Sequence, residues 1–202
     1  MPSFPDKIRF KFIIDNIKDK SKLKILDLGV GEGELHAELI KQFGKEKLVG
    51  LDFEDYCMIR YNKYQITSPD VVHNLNIFPY PFSNNQFDYV VAGEIIEHLE
   101  NPKAFLDEVY RILKKDGYLI LTTPNGCGVH ELLENRKKSD VTTKYGHTFY
   151  FNDISLCRLL NYTGFDLQKV KYCFYRKYTL LWVIYPKFGG SNLMVLAKKI
   201  NK

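Results

Sequence analysis

Apolar residues along this chain recur in two alternating rhythms, one close to four residues and one that is continuous or alternates by two. From Pro5 to Lys20, Ile8, Phe12, Ile13 and Ile17 fall at helical spacing, which predicts an N-terminal helix within 1–20 carrying one apolar stripe. The run KLKILDLG that follows is rich in strand formers and ends in glycines. Leu35, Leu39, Ile40 and Phe43 then predict a helix closed by Gly44. KLVGLDF reads as a second buried strand, Ser68 to His73 as a weak third and FDYVVAG as a fourth. Glu94 to Leu99 and Pro102 to Leu113 read as a helix interrupted by a turn at Asn101-Pro102, and Asp116-Gly117 turns the chain into the fifth strand, YLILTT. A last helix is predicted from Asn152 to Tyr162, capped by Gly164. Two final strand-like runs, at 165–178 and 190–200, most simply pair as an antiparallel hairpin at the sheet edge. The stretch 124–150 has no periodicity and reads as a lid or insertion.

Strands alternating with helices predict an α/β fold, a mostly parallel sheet with helices on both faces. Ligands of such sheets gather at the carboxyl ends of the strands. Here those ends carry Gly29, Asp52, Asn74, Glu94 and Thr123-Pro124-Asn125, each a Gly, a Pro or a polar residue. At 202 residues and 45% hydrophobic content the chain is sized for one domain with its own core, which excludes a disordered tail or a disulfide-stapled miniprotein. Cys57, Cys127, Cys157 and Cys173 lie far apart with no C-x-x-C pair, which fits a reducing cytoplasmic home. The first residues lack the apolar region of a secretory signal. The longest apolar run, Thr179 to Tyr185, is too short to span a bilayer.

Charge adds one asymmetry. The formal net charge is +5, yet from Phe165 onward there are eight Lys and Arg against Asp166, whereas residues 1–164 hold 21 basic and 23 acidic side chains. The presumed ligand-binding body is therefore slightly acidic and the C-terminal hairpin basic.

The segment Ile25-Leu26-Asp27-Leu28-Gly29-Val30-Gly31-Glu32-Gly33 lies between strand and helix. Glycines there let the backbone approach a ligand closely, and the helix start offers free N–H groups. A dinucleotide fingerprint needs G-x-G-x-x-G, and here the third glycine comes one residue early. Asp27, Glu32 and Glu34 around the turn would repel a pyrophosphate and suit an ammonium or sulfonium, while Asp52 is placed to take the hydroxyls of a ribose. At these residues the chain resembles the class I S-adenosylmethionine-dependent methyltransferases. ILDLGVGEG matches their first motif and LVGLD the acidic end of the second strand. PYPFSNNQFDYVVAGEIIEHLENPKAFLDEVYRILKKDGYLILTTPN matches the central block of the ubiquinone-type O-methyltransferase subgroup, and YGHTFYFNDISLCRLLNYTGF its segment before the penultimate strand. The resemblance spans about 23–170. It implies a Rossmann-like sandwich on a seven-stranded sheet and a single methyltransferase domain over 1–202. It also implies S-adenosylmethionine as cofactor, with Gly29, Gly31 and Gly33 around the methionine part, Asp27 orienting its amino group and Asp52 on the ribose. Asn74 and Leu75 fall at the adenine position, where the family usually has Asp in place of Asn74. An Asn carbonyl can still accept from the adenine amino group.

Glu94, Glu97 and His98 follow the fourth strand at spacings that share one helical face. Two carboxylates and an imidazole there can hold a divalent ion, Mg or Mn, with His147 as a fourth ligand and positions left open for substrate. The set resembles the metal site of small-RNA 2′-O-methyltransferases and of some ubiquinone-pathway O-methyltransferases. The alternative is that Glu97 pairs locally and His98 lines the pocket without metal. In either case His98 is the candidate general base toward a hydroxyl, with Glu97 beside it. The expected reaction is methylation of a hydroxyl on a small metabolite such as a quinone precursor, sugar or lipid-linked intermediate. Ribose methylation of RNA is the second reading, and a non-catalytic cofactor-binding protein the third. The C-terminal aromatics Tyr172, Phe174, Tyr175, Tyr178, Trp182, Tyr185 and Phe188, interspersed with basic residues, suit either a homodimer contact or base stacking.

Overall fold

The structure, a computed structural model, describes residues 4–18, 21–53, 69–128, 146–174 and 190–200. Most of the expected lid, the apolar run at 179–185 and the aromatic–basic stretch from Tyr175 to Phe188 lie outside these residues. The elements in chain order are α1 (Phe4–Asp15), β1 (Ile25–Leu28), α2 (Glu34–Phe43), β2 (Leu48–Asp52), β3 (Val71–Val72), β4 (Phe87–Gly93), α3 (Pro102–Ile112), β5 (Leu113–Pro124), α4 (Asp153–Thr163), β6 (Phe165–Cys173) and β7 (Asn192–Lys199). They build one seven-stranded sheet in the order β3-β2-β1-β4-β5-β7-β6. The first five strands run parallel, and β7 lies antiparallel to both β5 and β6. The C-terminal strands thus pair as an antiparallel hairpin, but the last strand inserts between β5 and β6 and leaves β6 on the edge.

The period of two along each strand sorts side chains onto opposite sheet faces. Leu26, Leu28, Val90, Leu119, Leu121, Leu193 and Val195 join Phe105, Leu106, Val109, Leu156 and Leu160 of α3 and α4 in one core. Ile25, Tyr89, Val91, Ile120 and Met194 join Phe12 and Ile13 of α1 and Leu39 and Phe43 of α2 in the other. Phe105 sits at the centre of the first core with no exposed surface. Phe105→Ala is expected to cost about 3–5 kcal/mol in urea-melt stability. A loss below about 1 kcal/mol would mean that α3 collapses into the space instead.

Three local expectations are corrected. The helix expected across 94–99 is a single 3-10 turn at Ile96–His98, ended by the extended Leu99; α3 starts only after Asn101, whose side chain accepts from the Ala104 N–H with Pro102 at the first helical position. The Asp116-Gly117 turn is a bulge in a longer strand. Register passes from Phe87 opposite Leu113 to Tyr89 opposite Tyr118, and Asp116 takes φ +61°. Among the described residues the third strand is two residues long, Val71 and Val72 pairing with Leu51 and Asp52 of β2. Among the described residues no helix is long and apolar enough to cross a membrane.

Candidate active site

β1 ends at Leu28, and the chain leaves it through Gly29 at φ +78°. A side chain at Gly29 would bring its Cβ within 2.7 Å of Ile95 Cδ1, so the turn closes only with glycine there. At Gly31, also left-handed, an added Cβ would meet only the Gly29 carbonyl at 3.8 Å and would project into open space. That space is a cavity of about 600 Å³ at the carboxyl ends of β1, β2 and β4. Its floor is Gly29, Val30 and Gly31, one wall is Asp52 and Phe53, the other is Glu94, His98 and Thr122, and Arg9, Phe10 and Ile13 of α1 cover it. Gly33 does not line it; its N–H closes the turn onto the Val30 carbonyl and it leads into α2.

Asp52, at the end of β2, accepts from the Gly31 N–H at 2.5 Å and the Phe53 N–H at 2.7 Å. It is nearly buried, and desolvation, with a smaller push from Asp27, raises its pKa against the pull of those two N–H groups. The glycine turn is thus fastened to the same carboxylate that faces the cavity. Asp6, Glu32, Glu34 and Glu94 complete an acidic lining in which Arg9 is the one Lys or Arg among the described residues.

Of the other residues expected to hold the cofactor, none lines the cavity. Asp27 lies behind the turn, fully buried, with Oδ2 3.0 Å from His36 Nδ1. Asn74 Oδ1 accepts from the Asn76 N–H and its carbonyl from the Ile77 N–H, so its side chain serves the turn. Leu75 points into the core, its carbonyl taking the Tyr80 hydroxyl at 2.9 Å.

Glu94 stands in a left-handed conformation, φ +56°, immediately after β4. A non-glycine residue holds that conformation only when its surroundings fix it. Three donors do so: Arg9 at 2.8 Å and the Thr122 hydroxyl at 2.8 Å on one oxygen, and the Asn192 amide at 2.6 Å on the other. Arg9 also pairs with Asp6. The guanidinium is raised above its usual pKa by the Glu94 and Asp6 carboxylates, despite the opposing cost of burial, which is the largest single effect on it. Arg9 was absent from the sequence-based candidates. Its signal was available, since it stands one helical turn before Ile13 on the apolar stripe of α1.

Glu97, His98 and His147 converge instead of the four expected metal ligands. One donor atom from each lies within 4.8 Å of the others, and Glu94 is not in that group among the described residues, its carboxylate being engaged by Arg9, Thr122 and Asn192. Glu97 is buried, with Oε2 accepting the Thr123 hydroxyl at 2.9 Å; Oε1 has no hydrogen-bond partner and lies 3.9 Å from His98 Nε2. The Glu97 carbonyl takes the N–H groups of Thr148 and Phe149, which ties the His147 segment to this turn. The two imidazoles meet edge to face at 4.8 Å. Burial, then the Glu94 charge, pushes the Glu97 carboxyl well above its usual range. Burial lowers His98 against a hydrogen bond with the Gly146 backbone, and burial followed by the charge of His98 lowers His147. All three groups are driven toward their neutral forms.

A methyltransferase-domain family model matches residues 6–170. A probable S-adenosylmethionine-dependent methyltransferase of Mycolicibacterium smegmatis is 27% identical over 71% of this chain and 52% of its own length. The mitochondrial ubiquinone biosynthesis O-methyltransferase of Rattus norvegicus is 27% identical over 87% of this chain and 56% of its own, so the chain spans about half the length of these relatives. The crystal structure of a putative methyltransferase from Bacillus halodurans superposes with a TM-score of 0.72 at 18% identity, covering 95% of this chain and 99% of that one, which shows the shared fold. With the glycine turn, the acidic strand end and the 3-2-1-4-5-7-6 sheet, the match establishes that this chain belongs to the methyltransferase-domain family.

Proposed function

We propose that the chain transfers the methyl group of S-adenosylmethionine to a hydroxyl of a small metabolite, a quinone precursor, sugar or lipid-linked intermediate. The observation that carries this is His98 on the wall of the acid-lined cavity, its imidazole biased toward the neutral, proton-accepting form. The cavity fits the cofactor. Gly31 leaves open space where a Cβ would stand, Asp52 is placed for the ribose hydroxyls, and the acids suit a sulfonium and an ammonium. Arg9, the one Lys or Arg among the described lining residues, is the group for the methionine carboxylate. The bound cofactor supplies an electrophilic methyl for in-line displacement. The protein's tasks are then to align the acceptor oxygen, exclude water beneath α1, and remove the hydroxyl proton. His98 takes that proton, with the Glu97 carboxyl standing 3.9 Å from its Nε2.

The donor set Glu97, His98 and His147 also fits a divalent ion, because Glu97 Oε1 is a buried acceptor with no hydrogen-bond partner and two near-neutral imidazoles stand beside it. Two imidazoles and one carboxylate suit Mn better than Mg. Such an ion would acidify the acceptor hydroxyl. This cluster, with the basic C-terminal run, supports the second reading, ribose 2′-O-methylation of RNA.

Radiolabelled methyl transfer, tested against fractionated metabolites and small RNA with and without chelator, separates these readings. Labelled metabolite insensitive to added salt is the expected result. Labelled RNA whose affinity falls steeply with salt would replace the first reading with the second. Full activity after exhaustive chelation, with no divalent ion recovered by elemental analysis, would remove the metal.

A further inference from the structure

One buried titratable pair has no part in the chemistry above. His36 on α2 and Asp27 on β1 are each about 1% exposed, with Nδ1 and Oδ2 at 3.0 Å. The His36 ring fills the space that glycine leaves at position 50 of β2. A Cβ on Gly50 would fall 2.7 Å from His36 Cε1, 3.2 Å from Nδ1 and 2.8 Å from Val30 Cγ2. His36, Asp27, Gly50 and Val30 are therefore one interlocked contact directly behind the cavity floor. Val30 is itself part of that floor, and Gly29 donates to the Leu51 carbonyl next to Gly50.

We propose that His36 is a positioning residue for cofactor binding. From α2 it holds the Asp27 carboxylate behind the glycine turn and, through Val30 and Gly50, sets the turn against β2. The inference rests on the reading of the cavity as the S-adenosylmethionine site. An apolar residue at position 36 would leave Asp27 a buried carboxylate without its nitrogen partner, and the cheapest relief is for Asp27 and the turn after it to move. Because the turn contacts the cofactor in ground and transition states alike, the loss should fall on binding and leave turnover at saturation unchanged.

The test is calorimetry with S-adenosylmethionine on wild type, His36→Leu, His36→Asn and His36→Gln, alongside kinetics. An Asn amide nitrogen can stand where Nδ1 does, whereas the Gln nitrogen reaches toward Nε2. His36→Leu and His36→Gln are expected to weaken binding by about tenfold or more with kcat nearly unchanged, and His36→Asn to stay within about threefold of wild type. In the Asp27→Asn background, His36→Leu should add little, since its effect runs through that carboxylate. Equal affinity for all three variants would overturn the proposal, as would a drop in kcat with KM unchanged. If His36→Leu does not fold, the Asn and Gln pair decides, and equal binding by those two overturns it. Absence of binding by wild type would instead overturn the cofactor reading itself.

Discussion

Replacing His98 by alanine is expected to lower kcat by about 100- to 10,000-fold while leaving S-adenosylmethionine affinity within about threefold of wild type. The imidazole stands on the cavity wall beside Glu94, whereas the floor and the proposed ribose contact are built from other residues, Gly29 to Gly31 and Asp52. Removing it takes away a proton acceptor and leaves the cofactor's contacts in place. The pH profile adds a second signature. Burial moves His98 below its usual 6.5, so the proton-accepting form is already dominant at neutral pH. For a group needed unprotonated, activity is lost as pH falls through its pKa, so wild-type kcat/KM should level off below pH 6.5 and decline on further acidification. That acid limb should vanish in the residual activity of the variant. Unchanged turnover in His98→Ala removes the residue from the chemistry. Loss of cofactor binding of the same size as the loss of kcat would make it a binding residue instead.

Asp52→Ala is expected to weaken S-adenosylmethionine binding by about 10- to 100-fold, measured by calorimetry. Its carboxylate holds two backbone N–H groups, at Gly31 and Phe53, and lines the cavity, where it is the proposed ribose acceptor. Hydrogen bonds to a charged group are worth about 1.5–3 kcal/mol, which corresponds to that range of affinity. Asp52→Asn keeps the shape and one acceptor oxygen but sets an amide against two N–H donors, so it should fall between alanine and wild type. An affinity unchanged in both variants would move the ribose elsewhere.

The two residues differ in how plainly the chain announces them. Asp52 is readable because its position depends on local pattern alone. A buried strand, LVGLD, ends where the sheet ends, and the residue at a strand's carboxyl end must face the ligand edge. Gly29 and Gly31 follow the same logic, since a strand-to-helix turn of this length requires left-handed backbone. Asn74 shows the limit of such reasoning. It occupies the right place in the chain order, yet its side-chain Oδ1 is taken by the Asn76 N–H two residues on, a local turn that competes with any role toward a ligand. Asp27 departs from expectation for a different cause. The side-chain period along β1 turns it away from the cavity, and the imidazole of His36 waits on that side.

The Glu-x-x-Glu-His cluster divides in the same manner. Helical spacing would put Glu94, Glu97 and His98 on one face, but a left-handed Glu94 followed by a 3-10 turn breaks that geometry. Glu94 then belongs to Arg9 and to Asn192, which is 98 residues further along the chain. Glu97 and His98 keep company with His147, brought in by two backbone hydrogen bonds to the Glu97 carbonyl.

By itself, the sequence determined the α/β class, the order of strands and helices, the glycine turn and Asp52, and the candidacy of His98. These follow from periodicity and turn chemistry within a few residues, where backbone sterics and apolar burial leave few choices. Only the tertiary structure decided the insertion of β7 between β5 and β6, the cover of α1 with Arg9 over the cavity, the partners of Glu94, and the withdrawal of Asp27 behind the floor. Those outcomes depend on which side chains meet across distant strands. Packing and the pairing of buried charges select them, and no local pattern along the chain encodes that selection.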